Sequence, residues 1–262
     1  MPEALFVPEG DGYLPTEATL GPWGADLLHG GAVSALATTL MEEAGDPEYT
    51  SLRFSADFVR ALPQRPLRAA VRGVRKGRRL EVLECDLEED GRLVARCSLL
   101  RVRPQPLQLP EGGPVEWDGP PPDSPEAFHA APKFFPERSF FLGSGIEMRV
   151  PRPGVFGGGV GWFRLLLPAV PGRDPSPMAR AAAASDFGNG ISGFSEGPVE
   201  MPLAFPNADL VVHLARPPLG DWIRLDASSE WREDGYGLTR SLLADRDGTV
   251  GTAEQSLVLS AT

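Results

Sequence analysis

A run of alanines that carries one carboxylate and then breaks into glycines is the stretch of this sequence best placed to do chemistry: ARAAAASDFGNG, residues 179–190. Alanine is the strongest helix former, and its small side chain suits a helix enclosed on all sides. Asp186 is therefore expected at the buried end of a helix, where a carboxylate needs hydrogen-bond partners or a task. The task open to such an acid is to orient a water or take its proton. A second candidate is His29-Gly30-Gly31, which opens HGGAVSALATTLMEEA, residues 29–44. The first N–H groups of a helix lack intrahelical partners and lie at the positive end of its dipole. Glycines there let a carbonyl oxygen approach without a Cβ in the way, which suits an oxygen that becomes negative.

Other constellations carry less. His29, His129 and His213 are scattered, and the sequence has no Cys-x-x-Cys or His-Glu-x-x-His, so no metal site is expected. FGGGVGW, residues 156–162, leads into a strand, which removes the helix start a phosphate loop needs. GFSEG, residues 193–197, has the spelling of a nucleophile elbow but follows a helix instead of joining a strand to one. Glu42 and Glu43 are adjacent and so do not share a helix face. VRGVRKGRR, residues 71–79, reads as a solvated strand-turn-strand edge, with a patch for a small phosphorylated ligand as its other reading.

The elements that must position these residues fall into two similar halves. A Pro- and Gly-rich stretch sets a boundary, giving segments 1–104 and 136–262 on either side of a linker over 105–135. In the first half a helix over 29–44 precedes four strands: SLRFSADFVR, PLRAAVRGVRKG, RRLEVLECDLEEDG and RLVARCSLLRVR. In the second, GIEMRV and GVGWFRLLL precede the alanine helix from about Met178, and four strands follow, from ADLVVHLAR to TVGTAEQSLVLS. Asp90-Gly91 and Asp247-Gly248 mark matching hairpin turns. One helix followed by about four antiparallel strands, twice over, predicts an α+β fold in which each sheet curls around a central helix.

Composition limits the partners. With 262 residues and a net charge of −11, the chain is expected to avoid nucleic acid, whose phosphates need clustered cations. No stretch approaches the ~20 apolar residues of a membrane span, and the first residues lack a signal peptide's pattern, so a cytoplasmic location is expected. Cys85 and Cys97 are then expected as free thiols.

On HGGAVSALATTLMEEA, AAAASDF, the late GTAEQSLV and the two-half layout, the chain resembles the acyl-CoA thioesterase II (TesB-like) family of double hotdog proteins. That resemblance implies a hydrolase acting on acyl-CoA, no cofactor, and a homodimer or higher homo-oligomer. In His-Gly-Gly hotdog thioesterases a carboxylate commonly stands nine positions after the His. Here that position holds Thr38 in the first helix and Asp186 in the second, where Pro177, Met178 and Ala179 replace His-Gly-Gly. If the halves pair as the family's do, one complete site remains, joining His29, Gly30 and Gly31 to Asp186. By the same resemblance Gln255 matches a late glutamine that helps hold the water. Asn207 stands where the family has Thr or Ser. Two alternatives stay open: a hotdog hydratase or dehydratase, which wants a His paired with an acid, and a noncatalytic acyl-CoA-binding module. Trp162-Phe163, Phe187 and Phe194 lie close to the proposed site in sequence and read as core packing, with a preference for a medium or aryl acyl group as their other reading.

Overall fold

The computed structural model describes residues 2–108, 111, 123–130, 140–151, 159–192 and 203–261. A hairpin of β1 (Phe6–Glu9) and β2 (Gly12–Pro15) precedes helix α1 (Gly30–Ala44). Strands β3 (Thr50–Phe58), β4 (Arg68–Lys76), β5 (Leu80–Glu89) and β6 (Arg92–Val102) follow. The second half has β7 (His129–Ala130), β8 (Ile146–Val150), β9 (Val160–Leu165), helix α2 (Pro177–Ser185) and the short helix α3 (Gly188–Ser192). It closes with β10 (Leu203–Ala204), β11 (Asp209–Leu214), β12 (Trp222–Trp231), β13 (Tyr236–Asp245), β14 (Gly248–Val258) and β15 (Ser260–Ala261).

Strand alternation builds the sheet. In β5 the side chains of Glu81, Leu83, Cys85 and Leu87 are buried while their neighbours are less so, the period of two that turns one face toward a helix. Eleven strands form one antiparallel sheet in the order β4-β5-β6-β3-β11-β14-β13-β12-β9-β8-β7. The halves join where β3 pairs with β11, Arg53 opposite His213 and Asp57 opposite Asp209. The β3–β6 strands pack on α1, and β9, β11, β12 and β13 pack on α2, giving the double hotdog that the residue order predicts.

The helices are small-sided because they are covered all round. Val33, Leu36 and Met41 of α1 and Ala181, Ala182 and Ala183 of α2 have no exposed surface. Ser176 caps α2 by accepting a hydrogen bond from the Ala179 N–H at 3.0 Å, and Pro177 follows in the first turn, where its missing N–H costs nothing. The helices contact each other and run antiparallel: Gly31 lies against the Ala183 carbonyl at one end, and Glu43 pairs with Arg173 at the other. That direction sets Thr38 opposite the start of α2, where its buried hydroxyl has no hydrogen-bond partner.

Several local features differ from the sequence-based expectation. The glycines after Asp186 form α3 after a two-residue break, so helical structure continues where a dissolving end was expected. The second hairpin tip is Arg246-Asp247, because Asp245 pairs with Gly248 and accepts the Asp247 N–H at 2.9 Å. The first tip is Asp90-Gly91 as predicted, with φ of 47° and 72°. Within the stretch read as linker, β7 pairs with β8, and Asp123 accepts a hydrogen bond from Trp162 Nε1 at 2.9 Å. Cys85 and Cys97 are free and buried, opposite each other on β5 and β6. Burial, assisted by the Asp86 charge, pushes the Cys85 thiol up to about 12, which keeps it protonated and unreactive.

Two predictions follow from this packing. A Cβ on Gly31 would stand 2.5 Å from the Ala183 carbonyl oxygen, so Gly31→Ala forces the helices apart. It should cost about 1–3 kcal/mol in urea denaturation, and an unchanged midpoint would show that the seam yields freely. The second concerns Asp245, which has no exposed surface and accepts hydrogen bonds from Arg216 and from the N–H groups of Leu219 and Asp247. Burial alone raises its pKa, but Arg216 and those two N–H groups outweigh it and hold the carboxyl below its ordinary 3.8. The resulting stability is present above that ordinary value and lost as pH falls through the lower folded one. Asp245→Asn should therefore unfold more easily than wild type at pH 7, by about 1–3 kcal/mol. The gap in melting temperature should close below about pH 4, and a constant gap from pH 7 to pH 2 would contradict this assignment.

Candidate active site

Asp186 is the last residue of the α2 turn geometry, with φ −68° and ψ −9°, and its side chain leaves α2 for the start of α1. The carboxylate is 4% exposed, so its contacts decide its state. Oδ2 accepts the Gly31 N–H at 2.7 Å and lies 2.8 Å from His29 Nδ1. Oδ1 accepts a hydrogen bond from Asn207 Nδ2 at 2.9 Å. The positive end of the α1 dipole adds to this stabilisation.

The contacts fix the imidazole. His29 precedes the first turn of α1, and its Nδ1 also lies 3.1 Å from the Gly31 nitrogen. Gly31 N–H cannot serve both acceptors equally, and its shorter bond goes to Asp186. Oδ2 approaches the same nitrogen to 2.8 Å, so Nδ1 is engaged by both Gly31 and Asp186. The remaining ring nitrogen, Nε2, is then the one available to a ligand. Phe187 stacks on the imidazole at 4.3 Å between centroids, and Phe141 lies 5.1 Å away, which holds the ring plane.

Both glycines are required by close approach. A Cβ on Gly30 would stand 2.7 Å from Phe58 Cζ and 2.8 Å from Asp186 Oδ2. With the Gly31 N–H spent on Asp186, the Gly30 N–H is the helix-start donor left without a partner among the described residues.

The structure brings all six sequence-selected residues into one place, with one departure in geometry. Gln255, 1% exposed on β14, directs Nε2 to the Asp186 main-chain oxygen at 3.3 Å, so it touches the backbone of the acid and not the carboxylate. Its Oε1 accepts the Asn189 N–H at 3.0 Å. Asn207, half-buried just before β11, reaches Asp186 Oδ1 and also donates to the Asp209 carbonyl at 3.0 Å. The sequence reading missed Asn189, 4% exposed, whose Nδ2 donates to the Phe205 carbonyl at 3.1 Å. Its only signal was the Gly-Asn-Gly spelling, which reads as a turn.

The aromatic residues separate. Phe163 faces inward, 5.0 Å from Phe187, whereas Trp162 is on the opposite face of the sheet and does not line the site. Phe194 and the GFSEG stretch lie outside the described residues, as does the first part of FGGGVGW. Among the described residues no group of three or more His, Cys, Asp or Glu side chains is arranged to hold a metal ion, and no helix is long and apolar enough to cross a membrane.

Comparison with known proteins gives this geometry its context. A family model of the acyl-CoA thioesterase C-terminal domain matches residues 118–259, and one of the N-terminal domain matches residues 19–102. No curated protein matches the chain. A solved structure provisionally assigned as a thioesterase, from Novosphingobium aromaticivorans, is 22% identical with a TM-score of 0.72, covering 98% of this chain and 99% of that one. A hot dog protein of unknown function from Alicyclobacillus acidocaldarius is 16% identical at TM-score 0.70, over 99% and 97% of the two chains. An acyl-CoA thioesterase II from Mycobacterium marinum is 19% identical at TM-score 0.61, over 94% and 96%. At these identities the solved structures speak for the fold, while the two family models together span most of the sequence. With its two halves matched in order and its buried acid meeting the opposite helix, the chain belongs to the acyl-CoA thioesterase family of thioester hydrolases.

Proposed function

We propose that this protein hydrolyses an acyl-CoA to the free acid and CoA, with water activated at Asp186. The observation that carries the proposal is the Asp186 carboxylate held across the helix seam by Gly31, His29 and Asn207. Water held at Asp186 attacks the thioester carbonyl carbon while the carboxylate takes its proton. The carbonyl oxygen becomes negative and is met by the Gly30 N–H and the positive end of α1. Collapse of the tetrahedral intermediate breaks the C–S bond, and the proton held by Asp186 goes to the departing thiolate. Asn207 orients the carboxylate and the water beside it, and Gln255 fixes the main chain from which Asp186 projects. His29, with Nδ1 against Asp186, holds the carboxylate in place and leaves Nε2 for the ligand.

The same proposal places the chain in the cytoplasm as a homodimer or higher homo-oligomer, with an N-terminal hotdog over 1–104, a linker over 105–135 and a C-terminal hotdog over 136–262. The 2.8 Å His29–Asp186 contact also supplies the pair a hotdog hydratase needs, which makes hydration of an enoyl-CoA the second reading. The two differ in product, since only hydrolysis frees a thiol.

The test is release of free CoA from short, medium, long and aryl acyl-CoAs, with loss of enoyl absorbance followed in parallel. Wild type should release thiol from at least one class, and folded Asp186→Asn should be slower by about 100-fold or more, the span of a lost general base. Enoyl loss without thiol release would favour the hydratase. Undiminished hydrolysis by Asp186→Asn would remove the acid from the mechanism.

A further inference from the structure

Asn189 makes no hydrogen bond to the Asp186 carboxylate, yet it bonds to Gln255 and to the segment that carries Asn207. Its main-chain N–H donates to Gln255 Oε1 at 3.0 Å, and this decides which end of that amide faces Asp186: with Oε1 engaged, Nε2 points to the Asp186 carbonyl. Its side-chain Nδ2 donates to the Phe205 carbonyl at 3.1 Å, two residues before Asn207. Its Oδ1 accepts the Gly190 N–H at 2.8 Å, which fixes the side-chain amide in that orientation. The neighbouring Gly188 makes the approach possible, because a Cβ there would stand 2.8 Å from Gln255 Oε1 and 2.7 Å from Ser241 Oγ.

We infer that Asn189 is a positioning residue that sets the two amides, Gln255 and Asn207, against Asp186 through separate bonds. The main-chain bond serves Gln255 and survives any side-chain substitution. The side-chain bond serves the Phe205–Asn207 segment and does not. Removing the side chain therefore acts on the reaction through Asn207 alone.

A double-mutant cycle tests this division, and it rests on the Asp186 mechanism proposed above. Asn189→Ala should lower kcat by about 10-fold or more with KM little changed, the scale of lost support behind a site residue. The same substitution should cost almost nothing in an Asn207→Ala background and its full factor in a Gln255→Ala background. Equal losses in all three backgrounds would mark Asn189 as a general structural residue and overturn the inference, as would an unchanged kcat. If Asn189→Ala does not fold, Asn189→Leu replaces it, since it keeps a similar volume without charge and loses the side-chain bond to Phe205. Hydrolysis unaffected by Asp186→Asn would overturn the underlying mechanism, whereas loss in Asp186→Asn without coupling in the cycle would overturn this inference alone.

Discussion

The fold is organised around one buried carboxylate that ends one helix and is bound at the start of another. Asp186 is almost fully removed from water, and an ion in that position is stable only if its lost hydration is replaced. Three groups meet the carboxylate: a helix-start N–H, the His29 ring and a side-chain amide, drawn from both halves of the chain. Hydrogen bonds to a charged group contribute about 1.5–3 kcal/mol each, so the set is large against the net stability of a domain. Loss of any one leaves a partly unsatisfied charge in the core, which makes the arrangement nearly all-or-none.

The rest of the architecture meets the conditions that this interaction imposes. The helix ends must approach within hydrogen-bond distance, which requires Gly30, Gly31 and the alanine face of α2. They must also hold their relative height, and pairing of β3 with β11 fixes one half against the other across a continuous sheet. The imidazole must stay in plane, and the Phe187 and Phe141 rings hold it there. Charged pairs at the periphery are placed differently: Asp245 and Arg216 lock the β13–β14 hairpin, apart from the helix seam.

The fold was legible because its signals are periodic and local. Alternation in β5, the enclosed composition of α1 and the Asp90-Gly91 turn each follow from a handful of neighbouring residues. Asp186 and His29-Gly30-Gly31 were legible because their types are costly in those settings. What the sequence hid depends on contacts made at long range. Trp162 and Phe163 are adjacent, and only the strand's final register decides which ring meets Phe187 and which is covered by the Asp123 segment. Gln255 could be placed on the last long strand, but its bond to the main chain of Asp186 depends on Asn189, whose turn-like spelling concealed a short helix. The second hairpin tip lies one residue earlier than its Asp-Gly spelling indicates because Asp245 takes the Asp247 N–H and pairs with Gly248, a contact the spelling does not show.

The bond from the Gly31 N–H to Asp186 spans 155 residues of sequence. A contact of that separation forms late, after the chain entropy of a very long loop has been lost, and folding rates fall as such contacts dominate. During synthesis the first half emerges before the acid that receives its Gly31 N–H has been made. The cluster around Asp186 thus does not exist until α2 is made and docked. A chain cut between its halves would carry every residue of the site and yet, unless the pieces reassociated, would hold none of it together.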